Sequence, residues 1–238
     1  MRYRRLPAGA GTAVELCVTD RYDGDFRIDA PADELAGRRR GVFDGEWTWL
    51  RQVHGSDVAL VDSLGGHAGT DGDAAVTGLL GAVLCVQTAD CVPVVVVGEH
   101  AVGVIHAGWR GLVEGVINHS VDALRTIGSS RLQAVIGPCI RPGHYEFGAD
   151  ELAQVETAVG GACRGETVAG TLALDMAAAT TLALHRAGVD IVDDLGFDTA
   201  DERFFSHRVR GDVGRQSTAA GLVNVCPRST RRAWPNGL

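Results

Sequence analysis

The sequence contains no lysine, because all 22 basic residues among its 238 are arginines. This absence excludes a Schiff-base lysine and a P-loop lysine, so arginine, backbone N–H groups or hydroxyls would have to hold any anionic substrate. No stretch approaches about 18 uninterrupted apolar residues, so no membrane span is expected. Positive charge is in deficit as well. With 30 acidic residues the formal net charge is -8, which argues against nucleic acid or an anionic membrane surface as a partner.

Close cysteine pairs are also missing. The six cysteines are scattered along the chain and form no C-x-x-C motif. In a chain of this length, that spacing fits reduced thiols better than a disulfide scaffold. The basic segment from Met1 to Arg5 is followed by no apolar signal-peptide core. We therefore expect a cytoplasmic protein.

Short strand-like runs alternate with helical patterns, which is typical of a mixed α/β domain. Strands are predicted at residues 12–18, 57–62, 82–88, 132–138, 189–193, 203–209 and 216–225. Helices are predicted at 112–127, 149–159 and 175–187, the last with Asp175 as N-cap and Gly188 as stop. A polar connection is predicted at 26–42 and a disordered tail at 226–238. Residues 1–225 are expected to form a single catalytic domain.

Two apolar runs, Val92–Val97 and Ala101–His106, are separated by a short polar segment and predict a β-hairpin. If Val97 pairs with Ala101, Cys91 faces Ala107, and a two-residue loop would shift this register by one position. In either register, Cys91 and His106 emerge next to each other at the same end of the hairpin. The long apolar strands between these two reactive side chains therefore bring them together.

A third candidate, His54, lies where an apolar run breaks before a strand, and such loops commonly carry functional groups. Two chemistries fit these residues. Ligands of the types His, His and Cys would leave an open position on Zn²⁺, as in a catalytic metal site. Alternatively, Cys91 is a thiolate nucleophile with His106 as its base, as in a hydrolase without a metal. The spacing alone does not separate the two.

Carboxylates near these residues are candidates for a general acid or base in either chemistry. Asp90 directly precedes Cys91 in the sequence. Asp71 and Asp73 end the glycine-rich loop at 63–73. Any of the three could transfer a proton at the site.

The segment after His106 is a candidate anion site. Its Gly-Trp-Arg-Gly sequence opens the predicted helix at 112–127, and a helix N-terminus favours anions. Arg110 in this segment, or Arg208 further along the chain, could hold a phosphate in a bidentate fork.

Six motifs occur in a fixed order over roughly residues 47 to 220. They are R-Q-V-H-G at 51–55, T-A-D-C-V-P-V at 88–94, H-A-G-W-R-G at 106–111, I-G-P-C-I at 136–140, Y-E-F-G at 145–148 and F-F-S-H-R at 204–208, followed by G-R at 214–215. Together they resemble the YfiH family, also called the peptidoglycan editing factor or polyphenol oxidase (laccase-domain) family. This family includes multifunctional purine nucleoside phosphorylases.

The resemblance implies a single α/β domain built as a layered α-β-β-α sandwich with mixed sheets. It also implies a zinc or copper site formed by His54, Cys91 and His106. The implied activities are phosphorolysis of adenosine, inosine and methylthioadenosine, and deamination of adenosine. The expected partners are thus a purine nucleoside and phosphate, bound by a monomer or homodimer. Alternatives are editing of peptidoglycan precursors, copper-dependent oxidation of phenols, and the metal-free Cys/His hydrolase.

The chain departs from the family pattern on the substrate side. Residues 20–46 are shortened and replaced, the usual Cys-Thr pair before F-F-S is Asp198-Thr199, and the second arginine of F-F-S-Y-R-R is Val209. All three expected metal ligands are present. We therefore expect a zinc-dependent purine nucleoside phosphorylase with adenosine deaminase activity. The expected catalytic residues are His54, Cys91, His106, Asp90 and Arg110.

Overall fold

The computed structural model of the chain describes residues 1–225, so the predicted tail at 226–238 lies outside the described residues. The strands of this part are β1 (Arg2–Pro7), β2 (Thr12–Val18), β3 (Trp47–Trp49), β4 (Val58–Leu60), β5 (Ala74–Thr77), β6 (Val83–Thr88), β7 (Val92–Gly98), β8 (Ala101–Ala107), β9 (Gln133–Ile136), β10 (Arg164–Glu166), β11 (Leu172–Leu174), β12 (Asp190–Asp194) and β13 (Gln216–Asn224). Its helices are α1 (Ala32–Val42), α2 (Trp109–Glu114), α3 (Val116–Thr126), α4 (Ala149–Val159), α5 (Met176–Arg186) and α6 (His207–Arg210). Within residues 1–225, none of the helices has the length and apolar character that crossing a membrane requires.

Two mixed sheets form the centre of the fold. The five-stranded sheet has the order β1-β2-β13-β6-β3 and is antiparallel except for its β6–β3 pair. The six-stranded sheet has the order β12-β9-β7-β8-β5-β4, with a parallel pair at each edge. Strands β10 and β11 form a separate antiparallel ribbon.

Alternating side chains let each sheet contribute to two cores. In β7, Val94 and Val96 share a core with α3, α4 and α5. Val95 and Val97 point the other way and pack against the five-stranded sheet. Every residue of β7 is buried, which explains why its sequence is an unbroken apolar run rather than an alternating one.

The outer face of the five-stranded sheet is covered by α1. Leu35 and Val42 of this helix pack with Cys17, Val83 and Cys85 of the sheet. The layers are therefore helix, sheet, sheet and helix. The predicted fold class, a single α/β domain with an α-β-β-α sandwich of mixed sheets, is confirmed.

Three local predictions are wrong. The predicted connection at 26–42 contains α1, whose mostly polar sequence conceals its helical period. The predicted strand at 203–209 is a turn followed by α6, which begins at the N-cap Ser206. The predicted helix at 112–127 is divided into α2 and α3 by Gly115, which has a left-handed φ of 89°.

The β7–β8 hairpin has a two-residue loop. Gly98 pairs with Ala101, and Pro93 pairs with His106. The register is therefore shifted by one position from the pairing of Val97 with Ala101. Because Cys91 directly precedes β7 and His106 lies near the end of β8, the two side chains do lie at the same end of the hairpin.

Candidate functional site

The side chains of His54, Cys91 and His106 meet at this end of the hairpin. Their potential ligand atoms, one from each residue, all lie within 4.8 Å of one another. The two imidazole rings stand edge to face, with centroids 4.9 Å apart. His106 is buried, Cys91 is half-buried and His54 is exposed. The cluster is therefore accessible to solvent from the His54 side.

The loop that carries His54 is attached to β6 through Gln52. The Gln52 side chain donates to the carbonyl of Gln87 at 2.7 Å and accepts the N–H of the same residue at 2.8 Å. His54 itself has a left-handed φ of 61°. The glutamine of the R-Q-V-H-G motif thus fixes the loop to the backbone of β6, a role that spacing alone does not indicate.

Asp73 is a fully buried carboxylate that orients two of the three clustered residues. Its Oδ1 lies 2.7 Å from Nδ1 of His106 and accepts the backbone N–H of His54 at 3.0 Å. Its Oδ2 accepts the N–H groups of Val53 and Gly55 at 3.1 and 2.8 Å. Since an ionised carboxylate only accepts, His106 carries its hydrogen on Nδ1, which leaves Nε2 as the potential ligand atom.

Asp73 and Asp71 belong to the same loop but have different surroundings. Asp71 is exposed and forms an ion pair with Arg51 at 3.0 Å. In the sequence the two carboxylates are equivalent candidates, because both end the same glycine-rich segment. Burial distinguishes them, and only the folded chain shows it.

The pKa values at the cluster result from burial opposed by close charges. Burial would raise the pKa of the Cys91 thiol, but the adjacent His106 and His54 lower it to about 6. Burial would likewise lower the pKa of His106, whereas Cys91 and Asp73 raise it to about 9. Burial also opposes ionisation of Asp73, yet hydrogen bonds from His106 and the backbone hold the pKa of this carboxyl below its ordinary value. In the absence of a metal, Cys91 is therefore a thiolate at neutral pH.

Asp90 lies directly before Cys91, in a backbone conformation with a φ of 101°. Its Oδ1 accepts the hydroxyl hydrogens of Thr199 and Ser206, each at 2.7 Å. Its Oδ2 accepts the backbone N–H of Arg208, also at 2.7 Å. These contacts tie the left-handed turn before Cys91 to the segment at 199–208. The carboxylate is thus engaged on both oxygens.

The two arginines considered for phosphate binding both stack on aromatic rings. The Arg110 guanidinium lies 4.4 Å from the ring centroid of Trp109, at the start of α2. The Arg208 guanidinium lies 4.7 Å from the ring centroid of Tyr145. Both arginines are exposed, and stacking orients their planar groups while leaving N–H donors for a ligand.

The described part of the chain also contains a cleft of about 560 Å³, whose lining does not include the three clustered residues. This volume falls in the range of about 300–1,000 Å³ that is common for small-molecule sites. Arg208 connects the two features, because it lines the cleft and donates its backbone N–H to Asp90. No motif of the sequence indicates this cleft. Its lining includes His144, Glu146, Phe147, Thr167, Arg208 and Val209.

The donor set of the cluster fits a transition metal. One thiolate and two imidazoles are the ligand types that Zn²⁺ and copper prefer, and three protein ligands leave a coordination position free. The contact from Asp73 to His106 is the outer hydrogen bond that metal-bound histidines usually make. His54, Cys91 and His106 could therefore hold such an ion together.

Comparison with known proteins places this arrangement in a family. Residues 27–223 match the family model described as "Multi-copper polyphenol oxidoreductase laccase". A protein of Xylella fastidiosa named purine nucleoside phosphorylase is 43% identical over 186 residues, which cover 73% of this chain and 71% of the relative. A Mycobacterium tuberculosis protein, also named a purine nucleoside phosphorylase, is 33% identical over 226 residues, 90% of each chain.

Solved structures agree with the sequence relatives. A Neisseria meningitidis protein assigned to DUF152 superposes with a TM-score of 0.77 at 25% identity, covering 94% of this chain and 100% of that one. YlmD from Geobacillus stearothermophilus gives a TM-score of 0.76 at 25% identity, covering 94% and 97%. The fold and the cluster thus define a layered α/β protein with a His, His and Cys centre. The chain belongs to the laccase-domain family that includes YfiH, YlmD and the purine nucleoside phosphorylases, as the resemblance of its motifs predicted.

Proposed function

We propose that this chain is a metal-dependent purine nucleoside phosphorylase that acts on adenosine, inosine and methylthioadenosine and also deaminates adenosine. The convergence of His54, Cys91 and His106 within 4.8 Å carries the proposal. Relatives that are named purine nucleoside phosphorylases supply the substrate class. The three residues would hold Zn²⁺ or copper, and such an ion supplies a Lewis acid with an open coordination position when bound.

The chain's own residues must hold phosphate and orient the nucleoside. In phosphorolysis a phosphate oxygen attacks the anomeric carbon while the bond to the purine breaks, so positive groups near the attacking oxygens stabilise the reaction. Without lysine, arginine has to do this. Arg208 lines the cleft and Arg110 stands at the start of α2, and the guanidinium of each lies over an aromatic ring.

Asp90 and Asp73 differ in their suitability for proton transfer. Two hydroxyls and one backbone N–H occupy the carboxylate of Asp90, and we assign it the role of positioning Cys91. Asp73 is fully buried and shared between His106 and the loop at 53–55. It keeps the two histidines in place. Neither carboxylate is free to approach a substrate.

The experiment combines metal analysis with turnover. Protein purified without added metal should contain about one zinc or copper ion per chain, and with adenosine and phosphate it should release adenine, with some inosine and hypoxanthine. Replacement of Cys91 by alanine should remove the metal and leave the circular dichroism spectrum unchanged. Fully metallated protein that converts none of adenosine, inosine and methylthioadenosine would refute the assignment. If the metal-free protein is active and alkylation of Cys91 abolishes this activity, the Cys/His hydrolase would be established instead.

A further inference from the structure

We propose that His144 and Asp198 form a proton-transfer pair in the cleft, in which His144 is the general acid that protonates the departing purine. This inference rests on the nucleoside phosphorylase function proposed above and adds a residue to it. The pair is separate from the His54, Cys91 and His106 cluster and contains no metal ligand. Three features carry the inference: how the carboxylate is held, where the imidazole lies, and what the reaction requires.

The carboxylate of Asp198 is fixed by the backbone on one side and contacts the imidazole on the other. Its Oδ1 accepts the N–H of Ala200 at 2.9 Å and that of Arg141 at 3.3 Å. Its Oδ2 lies 2.9 Å from Nδ1 of His144. Because an ionised carboxylate accepts, Nδ1 carries a hydrogen and Nε2 is left for a ligand. A carboxylate behind an imidazole stabilises its cationic, proton-donating form.

His144 is in a position to meet a ligand. It ends the short helical turn Pro142–His144 and lines the cleft together with Arg208. About 40% of its side chain is exposed, so the imidazole is accessible. The next residue, Tyr145, carries the ring on which Arg208 stacks. The imidazole and the arginine proposed to hold phosphate therefore belong to one wall of one cleft.

Charged side chains surround His144 in the cleft. Asp198 contacts the imidazole, and Glu146 lines the same cleft. Arg208 also lines the cleft, whereas the Arg141 guanidinium is paired with Asp194 at 2.7 and 2.9 Å. Asp198 is therefore the charged group in direct contact with the imidazole.

This pair is a departure of the chain from its family pattern. Asp198 stands where the family usually has the cysteine of the Cys-Thr pair. A cysteine at this position would be a weak partner for an imidazole, whereas the aspartate accepts its hydrogen and carries a charge. The departure thus places a carboxylate in contact with the imidazole of His144.

The reaction has a step that needs such a group. When a phosphate oxygen forms its bond to the anomeric carbon, the bond from that carbon to the purine nitrogen breaks and its electron pair remains on the base. The base leaves as a neutral molecule only if a ring nitrogen gains a proton. Nε2–H of His144 would give that proton, and the neutral imidazole would recover one from solvent before the next turnover. Asp198 gives up no proton and acts as a positioning residue.

The test uses the metallated full-length protein and two nucleosides that differ in their need for a proton. Inosine needs protonation of its base, whereas 7-methylinosine already carries a positive charge on the base and leaves without it. His144→Gln should lower kcat for inosine by about 100-fold, the lower end of the usual contribution of general acid catalysis, and leave kcat for 7-methylinosine unchanged. Asp198→Asn should show the same selectivity to a smaller extent.

Asp194→Asn is the matched control. It removes a carboxylate of the same region that pairs with Arg141 and is not part of the cleft lining, and it should leave both nucleosides unaffected. If His144→Gln slows inosine and 7-methylinosine equally, His144 has a structural role and the pair is refuted while the proposed function stands. If the metallated wild type cleaves neither nucleoside, the pair is refuted; if it converts neither adenosine nor methylthioadenosine as well, the proposed function falls with it.

Discussion

Replacing Asp73 by asparagine tests whether one buried carboxylate organises the cluster of His54, Cys91 and His106. Asparagine keeps the shape of the side chain but removes its charge, and it replaces one acceptor oxygen with an NH₂ donor. The native carboxylate accepts from four donors, on His106, Val53, His54 and Gly55. Whichever way the amide is oriented, its NH₂ group must face donors that previously had an acceptor.

The size of the effect follows from these contacts. A buried donor left without its partner costs about 1–3 kcal/mol, and loss of one member of a buried charged pair costs about 3–5 kcal/mol. Because the loop at 53–55 is at the surface and can partly relax, we expect Asp73→Asn to lower the free energy of unfolding by about 2–4 kcal/mol. Loss of an outer hydrogen bond to a metal-ligating histidine should also weaken metal binding by about 10- to 100-fold.

Two measurements check this prediction. Urea unfolding of metal-free protein gives the loss of stability, and competition with a chelator gives the metal affinity. The matched control is Asp71→Asn, which removes an exposed carboxylate of the same loop whose ion pair with Arg51 is worth at most about 1 kcal/mol. A variant Asp73→Asn that binds metal as tightly as the wild type would refute the orienting role of this carboxylate.

The pH dependence of this stability loss has a defined sign in metal-free protein. The pKa of Asp73 is lowered in the folded chain, so its contribution is present above the unfolded value of about 3.9 and is lost as the pH falls. The pKa of His106 is raised to about 9, so its contribution is full below the unfolded value of about 6.5 and is lost as the pH rises through about 9. The difference between wild type and Asp73→Asn should therefore be largest between about pH 4 and 6.5.

Three further predictions concern the same site. In metal-free protein, iodoacetamide should label Cys91 at neutral pH and progressively more slowly below about pH 6, because His106 and His54 outweigh burial and lower the pKa of this thiol. Peptide mapping measures the labelling, and bound zinc should protect Cys91 from it. Gly108→Ala should disrupt metal binding in a folded protein, because the new methyl carbon would lie 2.9 Å from Cδ2 of His54. The control is Gly41→Ala, where the new methyl carbon would lie in open space on α1. This control should bind metal as the wild type does in the same titration, and its stability should be unchanged or higher. Arg110→Lys keeps the charge but loses the planar fork, so phosphorolysis should fall more than deamination; an equal fall in both rates would assign Arg110 to the shared nucleoside pocket.

Parts of the fold with strong local signals could be predicted from the sequence. The valine-rich runs of β7 and β8 predict their hairpin, and the Asp175 cap and Gly188 stop predict α5 to within one residue at each end. Helix α1 escaped prediction because only Leu35 and Val42 of its residues are buried. An apolar period needs more apolar positions than that to be recognised.

The candidate site divides in the same way. The proximity of Cys91 and His106 could be predicted from the sequence, because in a hairpin the start of the first strand lies beside the end of the second. Asp73 could not be separated from its loop neighbour, since burial depends on contacts with distant segments. His144 and Asp198 are 54 positions apart, and neither carries a local signal that distinguishes it from a solvated surface residue. Such pairs require the tertiary structure.

The position of β13 has a consequence for folding during synthesis. Strand β13 is the last strand of the described chain and lies between β2 and β6. Until the ribosome has made β13, β2 and β6 therefore each lack one neighbouring strand. Their open edges are then available to other chains, which makes the unfinished protein prone to aggregation. The hydroxyls that anchor the turn before Cys91 come from Thr199 and Ser206, which are also made late. Synthesis therefore delivers His54, Cys91 and His106 before the residues that anchor the turn preceding Cys91, so the cluster reaches its final geometry only at the end of folding.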